Sequence, residues 1–181
     1  DIRVGKIVSV DNHPDADKLY LLKVDVGEAA PRQICAGLKA YYPKEQMLGR
    51  SVFVVSNLKP AKLRGVMSNG MLLAADDEDK GGHAVLLLKP SSDLAPGTRM
   101  NCGMENNTAE ISRDEFVKTT MFVSSVKDGV FTSHNIKIDL PGDAPKRVAA
   151  IVDGDKAMPL SDGKKCYAIV ESDILDGAGV R

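Results

Sequence analysis

Gln33-Ile34-Cys35-Ala36-Gly37-Leu38-Lys39-Ala40-Tyr41-Tyr42-Pro43-Lys44-Glu45-Gln46-Met47-Leu48-Gly49-Arg50-Ser51-Val52-Phe53-Val54-Val55-Ser56 is the stretch on which the fold turns. It reads as strand, helix, strand. Gln33–Ala36 is short, apolar and stopped by Gly37, and Val52–Ser56 is a continuous apolar run that follows Gly49-Arg50. Between them Lys39–Leu48 is the one helical candidate of the first hundred residues. Apolar runs of this length bounded by turn residues belong to a sandwich or a barrel rather than to a helical bundle.

Working outward, Ile2–Val10 and Leu19–Val26 read as two earlier strands, the second closed by Gly27. Met71–Ala75 after Gly70, and Ala84–Leu88 before Pro90, read as later ones. Five main strands with a helix between the third and the fourth is the order of a closed Greek-key barrel, the OB-fold. Closure removes the exposed edges that so strand-rich a segment would otherwise present. After Met104 the texture changes. Glu105–Thr108 is a polar connector, and Ser112 three residues before Glu115 has the spacing of a capping box, predicting a short helix from Arg113 to about Thr120. Met121–Val126, Val130-Phe131, Ile136–Leu140, Val148–Val152 and Cys166–Val170 follow as strands, with turns at Asp128-Gly129, Pro141-Gly142, Asp153-Gly154 and Asp162-Gly163. The expected fold class is therefore mainly β: a five-stranded OB-fold barrel with one short helix over residues 1–104. A small β-rich C-terminal extension, residues 105–181, is expected to pack against the barrel rather than fold alone.

Charge gives no general clue. The chain of 181 residues has a net charge of −1. Residues 1–104 carry 14 Lys/Arg and 12 Asp/Glu, and residues 105–181 carry 10 and 13, so any anionic partner must be held by local clustering. Cys35, Cys102 and Cys166 are odd in number and widely spaced, which suits reduced thiols in a reducing, cytoplasmic compartment and neither a disulfide framework nor a zinc site. No apolar run approaches the roughly 18 residues of a membrane span, so no membrane partner is expected. A chain that opens at Asp1 without Met reads as a piece of something longer.

Clustering appears in Asn57-Leu58-Lys59-Pro60-Ala61-Lys62-Leu63-Arg64-Gly65-Val66-Met67-Ser68-Asn69-Gly70-Met71. Lys59, Lys62 and Arg64 put three cations within six residues, on a loop shaped by Pro60 and Gly65, and read as a phosphate-binding patch. In an extended chain Lys62 and Arg64 share one side and Ala61 and Leu63 the other. Ser68 can cap the next turn or donate to a phosphate oxygen. A solvated loop that binds nothing is the competing reading of such clusters.

Six motifs occur in one order: Arg3–Val8, His13–Tyr20, Val24–Glu28, Arg32–Leu38, Asn57–Gly65 and Ser68–Met71. Together they resemble the tRNA-binding domain shared by endothelial-monocyte-activating polypeptide II, the yeast synthetase cofactor, bacterial dimeric tRNA-binding proteins and the C-terminal appendages of methionyl- and tyrosyl-tRNA synthetases. The likeness covers residues 1 to about 100 strongly. It continues more weakly at Asp162–Cys166 and Gly177–Arg181. The resemblance implies a non-catalytic barrel that grips the outer corner of tRNA by shape and charge, largely without reading sequence. It implies tRNA contacts at Lys59, Lys62, Arg64, Asn57, Ser68 and Met71, with Arg3 and Lys6 of the first strand as neighbours. It further implies an extension that imitates the partner subunit of the bacterial dimers and leaves a monomer, and a synthetase or multi-synthetase complex as protein partner. The parent chain is expected to be a methionyl, tyrosyl or lysyl enzyme, or a free-standing cofactor.

Other signals are weaker. His13, Asp15 and Asp17 lie close in sequence but fit a turn with Asp caps better than a metal site, and no cofactor is expected. Asp76-Asp77-Glu78-Asp79 reads as a solvated loop tip. Aromatics are few, which favours a structured RNA held by phosphates over single strands stacked on ring platforms. Tyr20, Tyr41 and Tyr42 fit packing better than base stacking. Two alternatives stay open: a protein- or peptide-binding scaffold, and a released cytokine-like signal carried by Arg3–Ser9.

Overall fold

A computed structural model describes all 181 residues, Asp1–Arg181. Strands hold 43% of the chain and helices 6%, so strands supply most of the core, with Met47 and Phe116 added from the two short helices. The chain divides into two compact units. One comprises residues 1–72, 94–99 and 107–116; the other 73–93, 100–106 and 117–181.

In the first unit β1 (Ile2–Asn12) lies between β2 (Tyr20–Asp25) and β4 (Ser51–Val55), antiparallel to both. β2 pairs in turn with β3 (Arg32–Ala36), and the sheet is nearly closed and barrel-like. β2 alternates as its sequence predicts, with Tyr20, Leu22 and Val24 buried and Lys23 exposed. β4 buries Val52, Phe53, Val54 and Val55 on both faces, which is why its sequence is an unbroken apolar run. Each such side chain contributes about 1.5–3 kcal/mol. Gly5 is required by packing: a Cβ there would sit 2.7 Å from Val24 Cγ1 and 3.0 Å from Val54 Cγ2.

The helix between β3 and β4 is present but shorter than predicted: α1 spans Lys44–Met47. Pro43 holds an extended ψ of 153° before it and disfavours helix at Tyr42, and Leu48 leaves the helix at ψ 131°. Residues 38–42 form a turn instead, with Tyr41 and Tyr42 N–H both donating to Leu38 O. The 57–71 stretch is no open loop either. It contains a hairpin of β5 (Ala61–Leu63) and β6 (Val66–Ser68), after which β7 (Met71–Leu72) pairs with β4. The predicted capping box is reciprocal: Glu115 N–H donates to Ser112 Oγ at 3.2 Å and Ser112 N–H to Glu115 Oε2 at 2.7 Å. Its helix, α2, spans only Arg113–Phe116.

The second unit is a sheet in which Met121–Lys127 pairs with both Arg147–Asp153 and Ala178–Val180. Lys156–Pro159 extends it beside Arg147–Asp153. The predicted strand 71–75 is split here, because Ala74–Asp76 joins Ala178–Val180 and Val85–Leu87 rather than the barrel-like sheet. Phe131, Ile138, Val148, Ala150, Ala157 and Tyr167 form one buried cluster. Asp77 is buried, not a loop tip: Oδ1 accepts the Ala84 N–H at 2.8 Å and Oδ2 the Leu175 N–H at 3.2 Å. No helix is long and apolar enough to cross a membrane.

Candidate nucleic-acid interface

The β5–β6 hairpin turns at Arg64-Gly65, with φ of +48° and +86°. Positive φ at both central residues is the type I′ geometry whose twist matches a two-residue hairpin. Glycine adopts it freely at position 65. Arginine is an unusual choice at position 64, where Asn, Asp or Gly is the normal occupant; the left-handed region costs other residues about 1–2 kcal/mol. A residue held against backbone preference at an exposed turn points to a use for its side chain.

The register pairs Lys62 with Met67 and Leu63 with Val66. Lys62 and Met67 therefore share one face, and the predicted alternation from Lys62 to Arg64 is interrupted by the turn. Lys59, Lys62 and Arg64 are all exposed, and no ion pair or hydrogen bond engages their side chains.

The hairpin is not free to flap. The N–H of Cys35 donates to Ser68 Oγ at 3.0 Å, and the Ser68 hydroxyl donates to Gly70 O at 3.1 Å. Gln33 Nε2 donates to Met67 O at 2.9 Å, and Asn69 N–H to Gln33 O at 2.8 Å. Near the turn, the buried His13 ring meets Leu63 O from Nε2 at 2.9 Å, while its Nδ1 accepts the Asp15 N–H at 3.1 Å. With Nδ1 accepting, Nε2 must carry the proton. The contact of His13 with Leu63 is not legible in the sequence, because the two lie fifty residues apart.

Other predicted contacts are placed differently. Ser68 is buried with its hydroxyl used twice, so it anchors the hairpin. Asn57 spends its amide nitrogen on Asn107 O at 3.1 Å and Ala109 O at 2.7 Å, tethering the 107–111 segment. Arg3 is paired with Asp1 at 2.7 Å and Glu28 at 3.3 Å, so its charge is spent inside the chain. Lys6 is exposed on β1, and Met71 is half-buried in β7. Arg32 grips Glu28 at 2.6 Å and donates to Ser56 O at 2.5 Å and Asn69 O at 3.3 Å. The Arg32 hydrogen bond, helped by its charge and that of Arg3 against partial burial, holds the Glu28 carboxyl below its usual range. Tyr20 and Tyr42 are buried, and Tyr20 donates to Tyr42 O at 2.9 Å, whereas Tyr41 is half-exposed.

A nearly closed β-sheet thus carries a clamped hairpin with exposed, unpaired cations. The chain belongs to the family described as "Putative tRNA binding domain", which matches residues 2–99. It is 53% identical over 111 residues to the cytoplasmic tyrosine–tRNA ligase of Xenopus laevis, covering 61% of this chain and 21% of that enzyme. It is equally 53% identical over 100 residues to the methionine–tRNA ligase of Thermococcus kodakarensis, covering 55% of this chain and 13% of that enzyme. The match thus spans about a fifth or less of those relatives' length. The C-terminal domain of Plasmodium vivax p43 superposes with a TM-score of 0.65 at 27% identity, over 99% of this chain and 95% of that one.

Proposed function

We propose that this chain is a non-catalytic tRNA-binding module, cytoplasmic and monomeric, that holds the outer corner of tRNA largely without regard to sequence in support of aminoacyl-tRNA synthesis. The observation that carries the reading is the hairpin. Three exposed, unpaired cations cluster here: Lys62 and Arg64 on the hairpin, which is held by hydrogen bonds to β3 and His13, and Lys59 just before it. Phosphates are what such a cluster binds, and phosphate contacts position a protein on RNA without reading bases. Lys6 is the remaining predicted neighbour with a free charge; Met71 stays as a partly exposed apolar contact. That relatives in the comparison are methionine– and tyrosine–tRNA ligases supports a synthetase, or an assembly of synthetases, as protein partner.

The cytokine-like reading requires Arg3–Ser9 to be exposed. Those residues lie in β1, hydrogen-bonded to β2 on one side and β4 on the other, so release would cost the sheet.

A filter-binding titration with bulk tRNA at two salt concentrations tests the proposal. Neutralising about three or four phosphates, at a slope near 0.7–0.9 each, weakens binding by roughly one to two orders of magnitude for a fourfold rise in salt. Binding that ignores salt favours the scaffold reading instead. Sedimentation at micromolar concentration should show a monomer; a clean dimer contradicts that part of the proposal.

A further inference from the structure

Beside the hairpin the first unit contains a cleft of about 380 Å³, at the lower end of the range that ligand pockets occupy. Its floor and walls come from Arg32, Leu58, Pro60, Asn69, Thr108 and Glu110. The walls are held in place. Segment 107–111 runs alongside 57–59, with Lys59 N–H donating to Ile111 O at 2.8 Å and Ile111 N–H to Asn57 O at 3.0 Å. The Arg32 guanidinium is immobilised by Glu28 and by the carbonyls of Ser56 and Asn69.

Three side chains lining this cleft make no hydrogen bond within the chain: the carboxamide of Asn69, the carboxylate of Glu110 and the hydroxyl of Thr108. The neighbouring Asn57 carboxamide, by contrast, is fully engaged, accepting from the N-terminal amine and donating to Asn107 O and Ala109 O. A carboxylate repels phosphate, so the cleft does not extend the cationic patch. Its chemistry suits a group that is flat, neutral and rich in N–H donors. An immobilised guanidinium is a plane on which an unstacked base can lie. A carboxylate accepts from the amino or imino edge of a base, and a carboxamide can both donate and accept.

On this basis, and resting on the tRNA reading above, we infer that the cleft receives one unpaired nucleobase of the bound tRNA, with a donor-bearing edge such as guanine presents. Glu110 accepts from that edge, Asn69 completes the hydrogen bonding, and Arg32 supports the ring. The phosphates flanking this base are those held by Lys59 and the hairpin, because Pro60 at the cleft leads directly into β5. The module then has a base-reading position next to a sequence-blind one.

The test uses the full chain, bulk tRNA and three variants. Asn69→Ala should lower affinity by about fivefold to tenfold while leaving the salt slope unchanged, since no counterion-releasing group is lost. Glu110→Gln should also weaken binding. A merely electrostatic role for Glu110 predicts the opposite, because removing a negative charge near RNA tightens binding. Lys62→Ala/Arg64→Ala is the reference, and should flatten the salt slope. Unchanged affinity in Asn69→Ala, or tighter binding in Glu110→Gln, overturns the inference while a flattened slope in the reference variant leaves the phosphate reading standing. An unchanged reference variant sinks that reading separately. As a direct probe, guanosine 5′-monophosphate should shift the Asn69 side-chain amide resonances saturably, and ribose 5-phosphate should not; equal shifts from both also overturn it.

Discussion

His13 Nε2 lies 2.9 Å from the carbonyl oxygen of Leu63, one residue before the Arg64-Gly65 turn. The bond joins the β1–β2 connection to a hairpin fifty residues later, and the Asp15 N–H on Nδ1 fixes the tautomer that makes it. The cations at the tip are thereby held in place by a residue that carries none of their charge.

His13→Ala should therefore weaken tRNA binding severalfold without changing its salt slope. The hairpin amides of residues 63–66 should exchange faster with solvent, because the tether near the turn is gone. A slope that falls along with affinity would mean that the histidine itself meets phosphate. Hydrogen exchange and titrations at two salt concentrations separate the outcomes.

Lys62→Ala/Arg64→Ala should lower affinity for all tRNAs alike and flatten the logarithmic salt slope by about 1.5–2 units. Stability should stay within ~0.5 kcal/mol, since both side chains are exposed and unpaired. Lys118→Ala/Lys127→Ala, exposed positions in the second unit, is the matched control and should change little. Arg147 is unsuitable for that purpose, because it pairs with Asp176 at 3.4 Å and donates to Ile174 O. Full-strength binding by the double hairpin variant would remove Lys62 and Arg64 from the site.

Arg64→Asn should act in opposite directions on stability and binding. Asn tolerates a φ of +48° better than Arg, so the melting temperature should rise, by an amount corresponding to roughly 0.5–1 kcal/mol. Affinity for tRNA should fall with the lost charge. A variant that is both less stable and a weaker binder would show that Arg64 serves the fold as well.

Asp176 should set the acid limit of the second unit. Partial burial alone would raise its carboxyl, but hydrogen bonds from Ser125 Oγ and Ser125 N–H, with the Arg147 charge, outweigh it and hold it below its ordinary value. A carboxyl depressed in the folded state stabilises the fold above its unfolded value near 4, and that contribution is lost as pH falls through the lower folded value. Urea unfolding between pH 6 and pH 3 should show the drop, and Asp176→Asn should be less stable at pH 6 with a flatter profile. Parallel pH profiles would exclude Asp176 as the source.

What could be read from the sequence depended on how local its cause was. The buried alternation of β2, the apolar run of β4, the Ser112/Glu115 cap and the Asp128-Gly129 turn are each decided within a few residues. The two type I′ turns make the contrast plain. Asp128-Gly129, at φ +51° and +73°, announces itself, whereas Arg64-Gly65 has the same geometry behind an untypical first residue. The same limit hid His13 from Leu63 and drew Ala74–Asp76 toward the barrel, since its partner strand Ala178–Val180 lies a hundred residues on. Cations were legible as residue types, but their engagement was not. Arg3 looks as free as Lys62 until Asp1 and Glu28 are placed beside it.

The mutual neutralisation of Arg3, Arg32, Asp1 and Glu28 has a kinetic consequence. With those charges cancelled at contact distance and the whole chain at −1, a polyanion senses little until it is within about 8 Å of the hairpin tip, the screening distance at physiological salt. Capture is then by collision rather than by attraction from afar, with association rates of the order of 10⁵–10⁷ M⁻¹s⁻¹ instead of the steered 10⁸–10⁹.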